Sequence, residues 1–180
     1  MSRIGREPVA IPAGVTITAD NGLLTVKGPK GTLTQDYDAA NISFQVEGAV
    51  ANVVRANDLA EVRAKHGLYR ALLNNMVVGV TAGYAKTLIV NGVGWKVAKN
   101  GNKVVLNVGF SHPVEIFETD DVKLECPSIT EIVVSGIDKA KVGQYAATVR
   151  SIRKPEPYHG YGISYKGEVI ERKEGKTAGK

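Results

Sequence analysis

The chain has 180 residues, 43% of them hydrophobic, and carries 23 Lys or Arg against 18 Asp or Glu for a net charge of +5. That apolar content suits a packed core and excludes a disordered protein, while a single cysteine, Cys126, excludes an internal disulfide. No uncharged apolar stretch approaches the roughly 20 residues of a membrane span, and Arg3, Arg6, Glu7 and Pro8 stand where a secretory leader needs an apolar core, so a cytosolic protein is expected.

In chain order, an extended lead-in through Val9-Ala10-Ile11-Pro12 is followed by alternating Val15 and Ile17, then Leu24 and Val26, around Asp20-Asn21-Gly22. Alternation flanking Asn-Gly predicts a hairpin. Lys27-Gly28-Pro29-Lys30-Gly31 is a second turn, whose two lysines have a solvated reading and a phosphate-touching one. Strand patterns resume at Leu33, at Ile42, Phe44 and Val46, and at Val50 and Val53. Asp58 is placed to open a helix, with Glu61 as its capping-box partner. Val62, His66, Tyr69, Leu72, Leu73 and Met76 then form a helical stripe, in which His66 reads as a packed core histidine. The segment Gly79 to Gly83 ends that helix.

Strand patterns return at Leu88 and Val90, at Trp95 and Val97, and at Val104, Leu106 and Val108, with turns at Asn91-Gly92-Val93-Gly94 and Asn100-Gly101-Asn102. Further strands are expected at Val114 and Ile116, Val122 and Leu124, and Ile132 and Val134. Asp138 starts a second helix, with Val142, Tyr145, Ala146, Val149 and Ile152 on one face, and Pro155 prevents its continuation. The two halves repeat one pattern of short strands and an Asp-started helix, each helix carrying a Gly-x-Tyr, the two lying 76 residues apart. The expected fold is α+β: two similar modules, residues 1–82 and 83–180, each a mostly antiparallel sheet packed with one helix, plus a basic C-terminal loop and tail.

The last thirty-one residues, from Arg150, hold eight of the 23 basic and four of the 18 acidic residues, so four of the five net positive charges gather there. Arg153-Lys154-Pro155-Glu156-Pro157-Tyr158-His159-Gly160-Tyr161-Gly162-Ile163-Ser164-Tyr165-Lys166 combines two prolines with two glycines, which predicts a shaped loop rather than a helix or central strand. Because the helix stripes and predicted strands all precede Arg153, the body is expected to fold without this tail. Cations beside aromatic rings suit RNA, whose phosphates attract the charge and whose splayed bases stack on the rings. A solvated basic tail is the competing reading, and Arg150, Arg153 and Lys154 also favour the end of a helix dipole.

Catalytic and metal motifs are incomplete. Gly109-Phe110-Ser111-His112-Pro113 lacks the last glycine of a nucleophile elbow and precedes no predicted helix, so Ser111 reads as part of a strand-ending turn. Gly175-Lys176-Thr177 imitates the end of a P-loop, but Ile170 occupies the position of its first glycine, and Tyr165 occupies the third glycine position after Gly160 and Gly162. His66, His112 and His159 share no metal-ligand spacing.

Taken together, several stretches resemble the L-six family of bacterial large-subunit ribosomal proteins. They are Ser2-Arg3-Ile4-Gly5-Arg6, Ile11-Pro12-Ala13-Gly14-Val15, Val26-Lys27-Gly28-Pro29-Lys30-Gly31, His66-Gly67-Leu68, Arg70 through Thr81, Gly92-Val93-Gly94, Gly109 through Val114, Gly136-Ile137-Asp138-Lys139, and Pro155-Glu156-Pro157-Tyr158 continuing to Tyr165. The resemblance implies a non-enzymatic, cofactor-free constituent of the cytoplasmic ribosome. It implies binding to large-subunit ribosomal RNA through the second module and tail, near the stalk base and factor-binding region, beside neighbouring large-subunit proteins, with no membrane or small-molecule partner. On its signature, and on the tail's charge and rings, the expected RNA-binding residues are Arg3, Arg6, Arg150, Arg153, Lys154, Tyr158, His159, Gly160, Tyr161, Gly162, Tyr165, Lys166, Arg172, Lys173 and Lys176. At His159, Tyr161, Ser164 and Glu171 the chain departs from positions that are often basic in the family.

Overall fold

The computed structural model describes residues 3–176; Ser2 of the N-terminal signature, Thr177 of the P-loop-like triplet and residues 178–180 lie outside them. The chain divides into two compact units, one running through Tyr84 and including Ile137–Lys139, the other comprising Ala85–Gly136 and the chain from Ala140.

The first unit opens with a 3-10 turn, Ile4–Arg6, followed by β1 (Val9–Ala10), β2 (Thr16–Asp20), β3 (Leu23–Gly28), β4 (Gly31–Asp36), β5 (Ile42–Glu47), β6 (Val50–Arg55) and α1 (Ala60–Thr81). They form two sheets, β2-β3-β4 and β1-β6-β5, with every strand antiparallel to its neighbour. The expected hairpin is β2–β3. Asn21 and Gly22 have φ of 50° and 82°, the pair of positive values that a two-residue turn of matching twist requires. Period-two alternation buries Leu24, Val26, Ile42, Ala51 and Val53 against Val62, Leu73, Met76, Val77 and Val80 of α1. His66 is buried in that helix face, its Nε2 donating to the Val53 carbonyl at 2.9 Å, as a packed histidine should.

The start of α1 differs from expectation. Leu59 is the capping residue and no side chain caps the helix. Asp58 instead pairs with Arg55 at 2.6 Å, and Asn57 accepts the Leu59 N–H at 3.1 Å. The carboxylate next to the helix has a cation closer to hand than the free N–H groups. At the other end Gly83, at φ 79°, donates to the Val78 carbonyl and closes the helix in the left-handed conformation glycine favours. Lys30 Nζ donates to the Ala82 carbonyl, so one of the two turn lysines has a structural partner.

The second unit contains β7 (Tyr84–Asn91), β8 (Lys96–Asn100), β9 (Lys103–Asn107), β10 (Val114–Phe117), β11 (Val122–Ser128), β12 (Glu131–Gly136), α2 (Lys139–Ile152) and β13 (Gly162–Tyr165). Its sheets run β10-β9-β8 and β11-β12-β7-β13. Their inward residues, among them Leu88, Val104, Leu106, Leu124, Ile132 and Val134, are buried together with Val142, Ala146 and Val149 of α2. The fold is α+β, two similar modules of sheets with one helix each. The repeated Gly-x-Tyr has a related use in both: Tyr69 accepts the Asp38 N–H at 3.2 Å and Tyr145 donates to the Phe117 carbonyl at 2.5 Å, each tying its helix to main chain.

The tail corrects the sequence reading. Core structure does not stop before Arg153, because β13 pairs antiparallel with β7, Ile163 opposite Val90 and Tyr165 opposite Leu88, and Ile163 is 0% exposed. An edge strand needs donors on one side only, so the nearby prolines do not prevent it. The Ile163 N–H donates to the Arg153 carbonyl at 2.7 Å, clamping the loop between them.

Candidate nucleic-acid interface

The end of α2, the loop from Arg153 to Tyr161, and β13 form one ordered structure in the second unit. Its shape depends on two glycines. Gly160 has φ 74° and is buried, with the Arg172 guanidinium packed 3.1 Å from where a Cβ would stand. At Gly162 an added Cβ would lie 2.4 Å from the Pro155 Cα, so the two strands of the loop approach to a distance that admits no side chain. Further main-chain bonds run from Glu156 N to the Tyr161 carbonyl at 2.9 Å and from Lys173 N to the Pro157 carbonyl at 2.7 Å. Asn91 Nδ2 donates to the Gly160 carbonyl at 3.3 Å.

The cations on this structure fall into two groups. Arg150 is half-buried and engages Glu168 through both forks, Nε to Oε2 at 3.1 Å and Nη2 to Oε1 at 2.5 Å. Glu168 also accepts the Tyr165 N–H at 2.9 Å. The Arg150 hydrogen bond, then that N–H, hold the Glu168 carboxyl below the usual carboxylate range, and Glu168 in turn raises Arg150. Two cations approach the Tyr165 ring, Arg150 Cζ at 5.7 Å and Lys86 Nζ at 5.9 Å from its centroid. Lys166 reaches Glu131 at 3.4 Å. These side chains fasten β13 and its turn to the unit.

Arg153 and Lys154 are exposed and have no acidic partner among the described residues. The Arg153 guanidinium stands over two rings, 4.9 Å from the Phe110 centroid and 5.8 Å from that of Trp95. His112 stacks on Phe110 at 6.0 Å, and His159 stacks on Tyr161 at 5.3 Å with planes 15° apart. Trp95, Arg153, Lys154, Glu156, His159 and Tyr161 line an open cleft of about 480 Å³. Tyr158 is 53% exposed, and Arg172, Lys173 and Lys176 continue the basic surface of the tail. Arg3 and Arg6 are exposed at the 3-10 turn of the first unit and are not among the residues lining this cleft.

Trp95, Phe110 and Glu156 take part in this arrangement without having been singled out in sequence. A signal existed for the rings: each sits beside glycine in a turn, where a large aromatic residue has no strand to support it. Gly109, at φ 78°, is followed by β10 and not by a helix, so Ser111 lacks the strand-to-helix turn of a nucleophile elbow. Burial pushes the Cys126 thiol up, away from the thiolate that nucleophilic chemistry requires. Among the described residues no cluster of three or more His, Cys, Asp or Glu could hold a metal ion.

The sequence model of the family described as Ribosomal protein L6 matches residues 11–83 and 91–166. A protein named Large ribosomal subunit protein uL6 from Exiguobacterium sibiricum is 52% identical over 177 residues, covering 98% of this chain and 99% of its own length. Proteins of the same name from Shouchella clausii and Clostridium perfringens are 53% and 54% identical, with the same coverage of 98% and 99%. The matched segments take in both modules and the loop with β13, and on that ground the chain belongs to the ribosomal protein L6 family, whose members are structural and non-enzymatic.

Proposed function

We propose that the protein is a structural constituent of the large subunit of the cytoplasmic ribosome and binds large-subunit ribosomal RNA, chiefly through its second module and tail. The names of its relatives support the assembly. The observation that carries the RNA reading is the exposed, unpaired pair Arg153 and Lys154 beside the rings of Trp95, Phe110, His159 and Tyr161. Phosphate is drawn to the cations while sugars and unpaired bases find aromatic faces within reach, a combination that suits folded RNA better than a protein partner.

Of the expected contacts, Arg153, Lys154, Tyr158, His159, Tyr161, Arg172, Lys173 and Lys176 face RNA directly, with Arg3 and Arg6 as a further basic contribution from the first module. Gly160 and Gly162 act by shaping the loop, and Arg150, Tyr165 and Lys166 by anchoring it. The site of docking is near the stalk base and factor-binding region, among neighbouring large-subunit proteins. The test is sedimentation of the full chain with large subunits depleted of it. Stoichiometric rebinding, reversed at high salt and weakened by Arg153→Ala, is the expected result; rebinding insensitive to salt and to Arg153→Ala would remove the RNA reading.

A further inference from the structure

The cleft between Trp95 and Tyr161 has a chemistry of its own. Its walls are aromatic, Arg153 and Lys154 stand at it, and a carboxylate, Glu156, lies among them. The Trp95 ring is set by two glycines: a Cβ at Gly92 would fall 2.2 Å from its Cδ2, and one at Gly109 would fall 3.0 Å from its Nε1. Glu156 is likewise oriented. Its Oε1 accepts the His159 main-chain N–H at 2.8 Å and lies 3.1 Å from His159 Nδ1, while Oε2 takes no hydrogen bond from the described residues.

An ionised carboxylate accepts and never donates. Within the cleft it repels phosphate and acidic peptide, and the two cations repel a basic one. What fits all three demands is a flat, neutral group that brings N–H donors to Glu156, stacks on the rings, and is attached to anions that Arg153 and Lys154 hold. Among the nucleobases only guanine carries two adjacent donors, N1–H and N2–H, on its pairing edge. Adenine and cytosine each offer a carboxylate a single amino N–H, cytosine from the C5 side of its N4, and uracil flanks its one N–H with two carbonyls, so none of the three brings two adjacent donors.

We infer that the cleft of Trp95, Arg153, Lys154, Glu156, His159 and Tyr161 receives one unpaired guanine of an RNA strand, with its pairing edge on Glu156 Oε2. This rests on the RNA reading above and adds to it a base identity and an acceptor. Tyr161 and His159 supply a stacked platform in place of further cations, which accounts for their presence where charge alone would be served by Lys or Arg.

Trp95 is the only tryptophan of the chain, so its emission reports on the cleft directly. The full chain is titrated with short uridine-rich single strands that differ in one central nucleotide, and separately with protein-free large-subunit ribosomal RNA in a filter assay. The strand with central guanosine should quench Trp95 and bind about tenfold more tightly than its uridine counterpart. Inosine, which lacks the N2 amino group, should recover only part of that advantage. Glu156→Gln should abolish the preference while the thermal transition stays in place, and Tyr161→Ala should weaken all strands alike. Equal affinity for the four bases, unchanged Trp95 emission, or a guanosine preference that survives Glu156→Gln overturns the inference while salt-dependent binding of ribosomal RNA leaves the broader reading standing. Loss of that salt-dependent binding overturns both.

Discussion

Gly162 runs at φ 154° with no room for a side chain, its absent Cβ facing the Pro155 backbone at 2.4 Å. A methyl group there must displace main chain on both strands of the loop, so Gly162→Ala should cost about 2 kcal/mol or more, read as a lower denaturant midpoint with an unchanged slope. Gly160 is a milder case. Its neighbour at 3.1 Å is the movable end of Arg172, and what remains is the left-handed φ of 74°, so Gly160→Ala should cost only about 1 kcal/mol. Neither glycine need touch RNA to matter for binding. Tyr158, 53% exposed, belongs to the other kind. Its replacement by Ala should leave the melting temperature unaltered and weaken ribosomal RNA binding by about 1–3 kcal/mol, while Tyr158→Phe, which keeps the stacking face, retains most of the affinity. A Tyr158→Ala variant that binds as tightly as the parent would take this ring out of the interface.

Strand β13 changes what the tail is for. With Ile163 fully buried opposite Val90, a chain ended at Ile152 loses the edge of the four-stranded sheet and should show no cooperative thermal transition for the second module, or one lowered by many degrees. Ile163→Ala should cost about 2–5 kcal/mol, as a buried isoleucine does. The Arg150–Glu168 pair adds a pH dependence. The folded-state pKa of Glu168 is lowered, so its contribution is complete above the ordinary carboxyl value of about 4.3 and is lost as pH falls through the lower folded value. Glu168→Gln should cost about 1–2 kcal/mol at neutral pH, and the difference from the parent should shrink in urea titrations carried below about pH 4. Hairpins around Asn-Gly, the two helices and their buried stripes were legible because turn chemistry and periodicity agreed over many residues. The strand at Ile163 was not, since four residues with one buried apolar side chain, set among prolines and charges, carry no period. Asp58 misled for a different reason: a capping pattern weighs the residues that follow the cap, and Arg55, three residues before it at the end of β6, takes the carboxylate instead.

At the scale of the whole molecule the sequence shows where the charge is and not which of it is available. Four of the five net positive charges lie from Arg150 onward, yet Arg150 is neutralised by Glu168 and Lys166 faces Glu131, while Arg153 and Lys154 remain unpaired. The folded structure thus divides a basic tail into cations that anchor it and cations that can release counterions from RNA. This division can be measured. The logarithm of the affinity for ribosomal RNA should fall linearly with that of salt concentration, and Arg153→Ala or Lys154→Ala should each flatten the line by roughly 0.7–0.9, the slope that one neutralised phosphate supplies. Arg150→Ala should behave differently, lowering the melting temperature because Glu168 is left without its partner, but changing the salt slope at temperatures well below unfolding by less than about half of that amount. Equal flattening by all three substitutions would mean that Arg150 leaves Glu168 for phosphate on binding, and that the anchor seen in the free protein is exchanged when RNA arrives.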